Sequence, residues 1–464
     1  MFEGSFFKMK SLKNIVCVLL SVFGTISFAN AQNVVSPEEA TMRSTSSVDW
    51  VKSQFSSKIA LDIQKAHIQL PSGKSAATKR IEMQLPELIK DPLLTLNVDS
   101  SVKLGDMIIH QNLTLEQLTH IIDNSKRTPG VLSTTSNEML VTNTIKMNEI
   151  GSLMVKHNVP YRAQTPIETI SSRVYTGIVI DARSILPVHG EYTVESMEPC
   201  FFPKIWNEQM DLIYERNMVN RNIASENGIV HYDISDDTPE SIKRVGRDPL
   251  RITAIEVYGA NRTDPVISYD DYLRIMTVPK NRDLLRDGKV VILLDKGMLV
   301  HTVGAPDKSG SYYAVYDKLK EFVFEDKTAE FVEIEDVPSG MQITVNDLKF
   351  EADSAKLLSD ETPRIKALAE QLKMATRDNG FTILIEGHTA DVGKPVGQMN
   401  LSIERANAIV EALVEQGVKR ELLSTRGFGG TVPVGDNSTP EGRAMNRRVE
   451  IKVMPENTNV QYAK

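Results

Sequence analysis

Cysteine is nearly absent from this 464-residue chain, which holds two, Cys17 and Cys200. Cys17 lies in an N-terminal apolar stretch, Ile15 to Phe28, and Ile15-Val16 before it are not the small residues that precede a lipidated cysteine. With that stretch removed as a leader, Cys200 stands alone and no internal disulfide framework can form. Long apolar runs are also missing. Nothing after the N-terminal stretch approaches the roughly 18 residues of a spanning helix. Aromatic residues make up 6% of the chain, too few for the aromatic girdles of an outer-membrane barrel. The eight histidines are dispersed, with no pair at metal-ligand spacing, and there is no Gly-rich phosphate loop; neither metal nor cofactor is expected. Positive charge is in deficit, 53 Lys and Arg against 61 Asp and Glu. Nucleic acid and anionic lipid are therefore disfavoured as partners.

What the N-terminus does have is the pattern of a secretory signal. Lys8, Lys10 and Lys13 precede the apolar stretch, and Ala29-Asn30-Ala31 offers a small-x-small cleavage site. We expect a signal peptide over 1–31 and an exported chain with no membrane span after cleavage.

The length that remains favours several domains. From 46 to 165 short alternating segments mix with helical patterns. Lys58 to Ile63 alternates as a strand, Ser75 to Leu93 has helical composition broken at Pro86, and Leu113 to Ile122 follows an Asn112 cap. This reads as a first α+β domain. From 166 to 303 the chain is β-rich. Val174 to Ile180, Gly228 to Tyr232, Leu250 to Val257 and Val290 to Leu294 are strand candidates, and Tyr269 to Met276 forms one short helix, which makes a second α+β domain. Between 304 and 340 the chain turns polar and acidic, as a linker with some helix at Tyr313 to Phe322 would.

The last part, 341 to 455, alternates strand and helix. Met341 to Phe350 reads as a strand, a helix starts at Thr362-Pro363, and Phe381 to Ile385 is a buried strand. A second helix runs from near Pro395 to before Gly417. On it Met399, Ile403, Ala406, Val410 and Leu413 form one buried stripe, with Gln398 and Arg405 together on its rim. The loop 389–394 opens onto this helix start, where free N–H groups favour an anion, and Asp391 beside it supplies the opposite charge. Such a pocket suits a zwitterion, held by charge-assisted contacts without reaction.

Three motifs stand in order here: Gly387-His388-Thr389, Leu401-Ser402-Ile403-Glu404-Arg405-Ala406, and Asn437 to Ile451 with Arg443, Asn446, Arg447 and Arg448. Together they resemble the OmpA-like C-terminal domain, and the resemblance covers roughly a quarter of the chain. It implies a βαβαββ fold and a periplasmic module, associated with the outer membrane or cell wall. Such a module grips the peptide stem of peptidoglycan non-covalently, with an acidic residue for an ammonium and an arginine for a carboxylate. Arg405 matches the family arginine. The usual His-Thr-Asp reads here His388-Thr389-Ala390-Asp391, so Ala390 takes the acidic position, and Gln398 stands where the family has Asn.

Two readings follow. Either Asp391 swings in and diaminopimelate or another diamino acid is bound by Asp391, Arg405, Gln398, Thr389 and His388, or conventional diaminopimelate binding is lost and the chain is a protein–protein adaptor of the envelope. In both, the first two domains are free to bind an envelope protein. Arg443, Asn446 and Arg447 are assigned to structure, with arginines pairing to Glu386 or Glu450. Val449 should face the core and its neighbours Arg448 and Glu450 the solvent. Cys200, His189 and Asp181 can be written as nucleophile, base and orienter, but nothing around Cys200 signals an activated thiol. We expect no enzyme.

Overall fold

A computed structural model describes residues 40–463 apart from 70, 163–164, 192, 326–331, 347, 352–353 and 378–379. The expected signal peptide, with Cys17, lies outside the described residues. Among those described, no helix is long and apolar enough to cross a membrane.

The first sheet is antiparallel and begins with β1 (Met42–Asp49) paired to β2 (Gln54–Asp62). Phe55, Ile59 and Leu61 of β2 point inward, onto helix α1 (Lys74–Leu94). That helix buries Ala77, Ile81, Leu85, Leu88, Ile89 and Leu93, a single face at helical spacing. It runs unbroken through Pro86, where the sequence pattern led us to expect a stop. The carbonyl that Pro86 cannot pair belongs to Glu82, an exposed residue, and the buried face holds the helix together. Helix α2 (Leu104–Ile109) and helix α3 (Leu115–Asp123) follow. The cap of α3 is Thr114 rather than Asn112: its Oγ1 accepts the Gln117 N–H at 3.2 Å and Gln117 Oε1 accepts the Thr114 N–H at 3.0 Å, a reciprocal arrangement Asn112 is too far back to make. Strand β3 (Glu138–Lys146) pairs β2 along its whole length.

The second module has a parallel sheet at its centre. Strands β4 (Ile178–Asp181), β5 (His231–Asp233), β6 (Leu250–Thr253) and β7 (Val290–Leu293) lie in the order β5-β7-β4-β6. Ile178, Val179, Ile180 and Val290 to Leu293 are all buried, as expected of strands covered on both faces. Helix α4 (Tyr269–Met276) forms where its acidic first turn and apolar face placed it, capped by Ser268. A smaller sheet contains Ile205–Asn207, Leu212–Tyr214, Glu256–Tyr258 and Asp264–Ile267.

The stretch 304–340 holds the helix expected at Tyr313 to Phe322 but is packed into the fold rather than a linker. Strand β8 (Val300–Val303) ends on β1 of the first sheet. Helix α5 (Gly310–Glu325) buries Tyr312, Val315 and Leu319 in the C-terminal core. Strand β9 (Val332–Val337) then pairs β10 (Gly340–Asn346). The acidic residues Glu333 and Glu335 are the exposed alternate positions of an edge strand, which is where charge protects an edge from further pairing.

The C-terminal module continues with α6 (Thr362–Thr376), β11 (Phe381–Gly387), α7 (Pro395–Glu415), β12 (Leu423–Gly427), α8 (Pro440–Asn446) and β13 (Arg448–Pro455). Its sheet order is β9-β10-β13-β11-β12. This is the expected βαβαββ order, with β9 added at one edge and α8 inserted before the last strand. Ile365, Ala369, Leu372, Ala406, Val410 and Leu413 pack the helices onto one face of the sheet. The last segment, β14 (Gln461–Ala463), returns to β1 and pairs Met42 to Ser44, beside the β8 contact at Ser46 to Asp49.

The other face of this sheet corrects a sequence expectation. Val449 is buried as foreseen, but Arg448 and Glu450 are buried too. Lys452 and Arg426 on that face interact electrostatically with Lys103 and Asp106 of the first module and with Glu191, Glu195 and Arg262 of the second. Charged residues that alternate like a solvent-facing row are here an internal network.

Candidate functional site

The site begins where β11 ends. Gly387 and Gly427 are register partners, and a Cβ on Gly387 would sit 2.2 Å from the Ser402 carbonyl. Two adjacent glycines therefore let α7 lie close on the strand ends. Ser402 Oγ accepts the Gly429 N–H at 2.9 Å, and the Thr389 N–H donates to the Gly429 carbonyl at 2.8 Å. These bonds stitch the 388–391 segment to the turn after β12.

His388 is 4% exposed and stacks on Phe428, centroids 5.0 Å apart and planes 9° from parallel. Burial, with the Arg448 charge added, holds its ring well below the ordinary histidine range, so it is neutral. Neither ring nitrogen has a hydrogen-bond partner, nor does Thr389 Oγ1. Both residues support the loop from beneath and do not meet solvent as ligand contacts would.

Gln398 was expected on the rim beside Arg405. It is 6% exposed; its Nε2 donates to the Ala390 carbonyl and its Oε1 accepts the Lys394 N–H at 2.9 Å. The amide closes the loop onto the helix start, using a free N–H there for itself. Ala390 is buried with it. Asp391, one residue on, is exposed, and its Oδ1 accepts the Gly393 N–H at 2.9 Å. Gly393 has φ +75, the left-handed turn that glycine adopts without strain.

Arg405 lies half-buried on the flank of α7. Its guanidinium is 4.7 Å from the Phe350 ring centroid and its Nε donates to the Ser354 carbonyl at 3.2 Å. Phe350 and Ser354 thus orient the arginine, and neither was singled out in the sequence. The signal that would have found them is an aromatic and a small polar residue directly after the first strand of the domain. Asn437, the first residue of the C-terminal motif, has no role assigned from the sequence. Arg443 donates to the Asn437 carbonyl at 2.9 Å rather than to Glu386 or Glu450, and the Asn446 side chain bonds Val434, Gly435 and Asn437. Arg447 is exposed; the buried pairs are Arg448 with Glu450 at 2.7 Å and Lys452 with Glu386 at 2.8 Å.

Those pairs also decide how a cluster of possible metal ligands reads. Glu386, His388 and Glu450 bring ligand atoms within 4.8 Å of one another. Both carboxylates already carry a cationic partner, so a metal ion would meet two positive neighbours, and the cluster is an ion-pair network.

Cys200, His189 and Asp181 each meet a different partner. Cys200 is buried, its thiol pushed well above the usual range by desolvation, and its backbone bonds Tyr232. His189 Nδ1 meets Glu256, and Asp181 meets Arg183.

Residues 349–447 match the OmpA family, residues 41–153 match the N-terminal domain of Treponema pallidum Tp0624, and residues 177–296 match its second domain. The chain therefore carries an OmpA-family domain behind two Tp0624-like modules, an α+β architecture throughout. Outer membrane porin F of Pseudomonas aeruginosa is 40% identical over 111 residues, 24% of this chain and 31% of that protein. Peptidoglycan-binding protein ArfA of Mycobacterium tuberculosis is 37% identical over 111 residues, 24% of this chain and 33% of its own. The chain thus spans about a third of the length of these curated relatives. Among solved structures, the cell wall anchor of the T6SS from Pseudomonas aeruginosa is 30% identical, with a TM-score of 0.26, covering 30% of this chain and 97% of that one.

Proposed function

We propose that this is a non-enzymatic periplasmic protein of the cell envelope, associated with peptidoglycan through its OmpA-family domain. The observation that carries the reading is a half-exposed arginine on α7 together with an exposed carboxylate on the loop before that helix. Arg405 stands half-exposed on α7, oriented by Phe350 and Ser354, and the exposed Asp391 sits on the loop that leads into that helix. A guanidinium takes a carboxylate as a two-pronged donor, and a carboxylate takes an ammonium. The stem peptide of peptidoglycan offers both on its diamino acid, diaminopimelate or another. Thr389, His388 and Gln398 act as the floor of the site. A relative named as peptidoglycan-binding, ArfA, supports the same substrate class. The two N-terminal modules then present surfaces to an envelope protein partner.

Titration of the full chain with a diaminopimelate-containing stem tripeptide tests this. Arg405→Lys keeps the charge and loses the fork, so affinity should fall about tenfold, the size of one charge-assisted hydrogen bond. Equal affinity for parent, Arg405→Lys and Arg405→Ala would remove the assignment.

A second reading has a specific observation behind it. Ala390 replaces the family acid, and the Gln398 amide already occupies its carbonyl. In this reading conventional diaminopimelate binding is lost and the chain serves as an envelope adaptor; a folded parent protein that ignores every diamino-acid stem peptide would favour it.

A further inference from the structure

Asp391 owes its position to a chain of amides in the C-terminal motif. Asn446 is fully buried, 0% exposed, and each polar atom of its side chain is engaged. Oδ1 accepts the Val434 and Gly435 N–H groups at 2.7 and 2.8 Å, while Nδ2 donates to the Gly435 carbonyl at 2.9 Å and to Asn437 Oδ1 at 2.8 Å. Asn437 is held a second time through its carbonyl, which accepts from Arg443 Nη1 at 2.9 Å. The oxygen that Asn446 fixes then accepts the Asp391 N–H at 3.0 Å. A buried, fully satisfied side chain thereby sets the backbone of an exposed acidic residue on a different loop.

Resting on the peptidoglycan reading above, we propose that Asn437 is the positioning residue of the stem-peptide site. The carboxylate here stands one residue later than the family places it, a displacement of up to about 3.8 Å along the backbone. Where it faces depends on what holds residue 391, and Asn437 Oδ1 is the side-chain acceptor on its N–H. Gly393 closes the turn from the other side. Both contacts at Asn437 Oδ1 are acceptances, so Asn437→Asp preserves them and Asn437→Ala removes them.

The test uses the full chain with two readouts: amide hydrogen exchange across 389–394, and co-sedimentation with purified sacculi. Asn437→Ala should speed exchange at the Asp391 amide and lower sacculus affinity, each about tenfold, as loss of one fixing hydrogen bond implies. Asn437→Asp should restore both. Asp391→Ala keeps its N–H, so it should lose sacculus binding with amide protection intact. Unchanged protection in Asn437→Ala overturns the proposal, as does full binding by that variant when Asp391→Ala no longer binds. A parent protein that fails to pellet defeats the peptidoglycan reading instead, and the exchange measurement still decides whether Asn437 holds the loop.

Discussion

Tyr258 of the second module and Thr431 of the C-terminal module share a hydrogen bond, their hydroxyl oxygens 2.8 Å apart. Thr431 Oγ1 spends its own proton on the Phe428 carbonyl at 2.7 Å, so Tyr258 is the donor. Phe428 is the ring on which His388 stacks. The second module thus reaches, through two residues, the floor of the candidate site. Nearby, Met399 and Ile403 pack with Tyr258 and Val266, outside the core of their own domain. Tyr258→Phe should cost about 1 kcal/mol by leaving Thr431 Oγ1 without its donor, and Met399→Ala about 2 to 4 kcal/mol by opening a cavity. Urea unfolding checks both. A Met399→Ala variant as stable as the parent would mean that the two modules do not rely on this contact.

Pro86 gives a prediction of opposite sign. It sits inside α1, where it removes a helical N–H and crowds the carbonyl one turn back. The surrounding face is buried, so the helix survives that strain. Pro86→Ala should stabilise the protein by about 1 kcal/mol, the helix gain being offset in part by a more flexible unfolded chain. Thermal unfolding measures it; a lower melting temperature would show that the ring packs usefully on its neighbours.

His388 gives a pH dependence. Its ring stays neutral in the fold well below the ordinary pKa of 6.5, whereas in the unfolded chain it protonates near that value. The unfolded state therefore binds the extra proton, and folding stability falls as pH drops below about 6.5. His388→Phe, which keeps the stack on Phe428, should lose less stability than the parent between pH 7 and pH 5. Parallel losses in denaturant midpoint would mean that His388 titrates alike in both states.

The C-terminal helices were legible because local chemistry ends them. Pro395 starts α7, and Gly417, at φ +87, follows its end. The stripe from Met399 to Leu413 is buried at all five positions, yet two of the five serve a neighbouring module, which no periodicity distinguishes. Long-range burial hid the most. Glu386, Arg448 and Glu450 alternate as an exposed face would, and only the modules lying over the sheet make that face interior. The rim assignment of Gln398 failed for a related reason: angular position on a helix says which side a residue is on, not whether a loop folds over it. The 304–340 stretch misled through composition, since Glu333 and Glu335 masked the period-two pattern of an edge strand.

Co-sedimentation of the full chain with purified sacculi, parent against Arg405→Ala, tests the central claim most directly. The account predicts that the parent pellets with the sacculi and that Arg405→Ala stays largely in the supernatant, with the affinity lower by about tenfold or more. A folded Arg405→Ala variant that pellets as fully as the parent would contradict it.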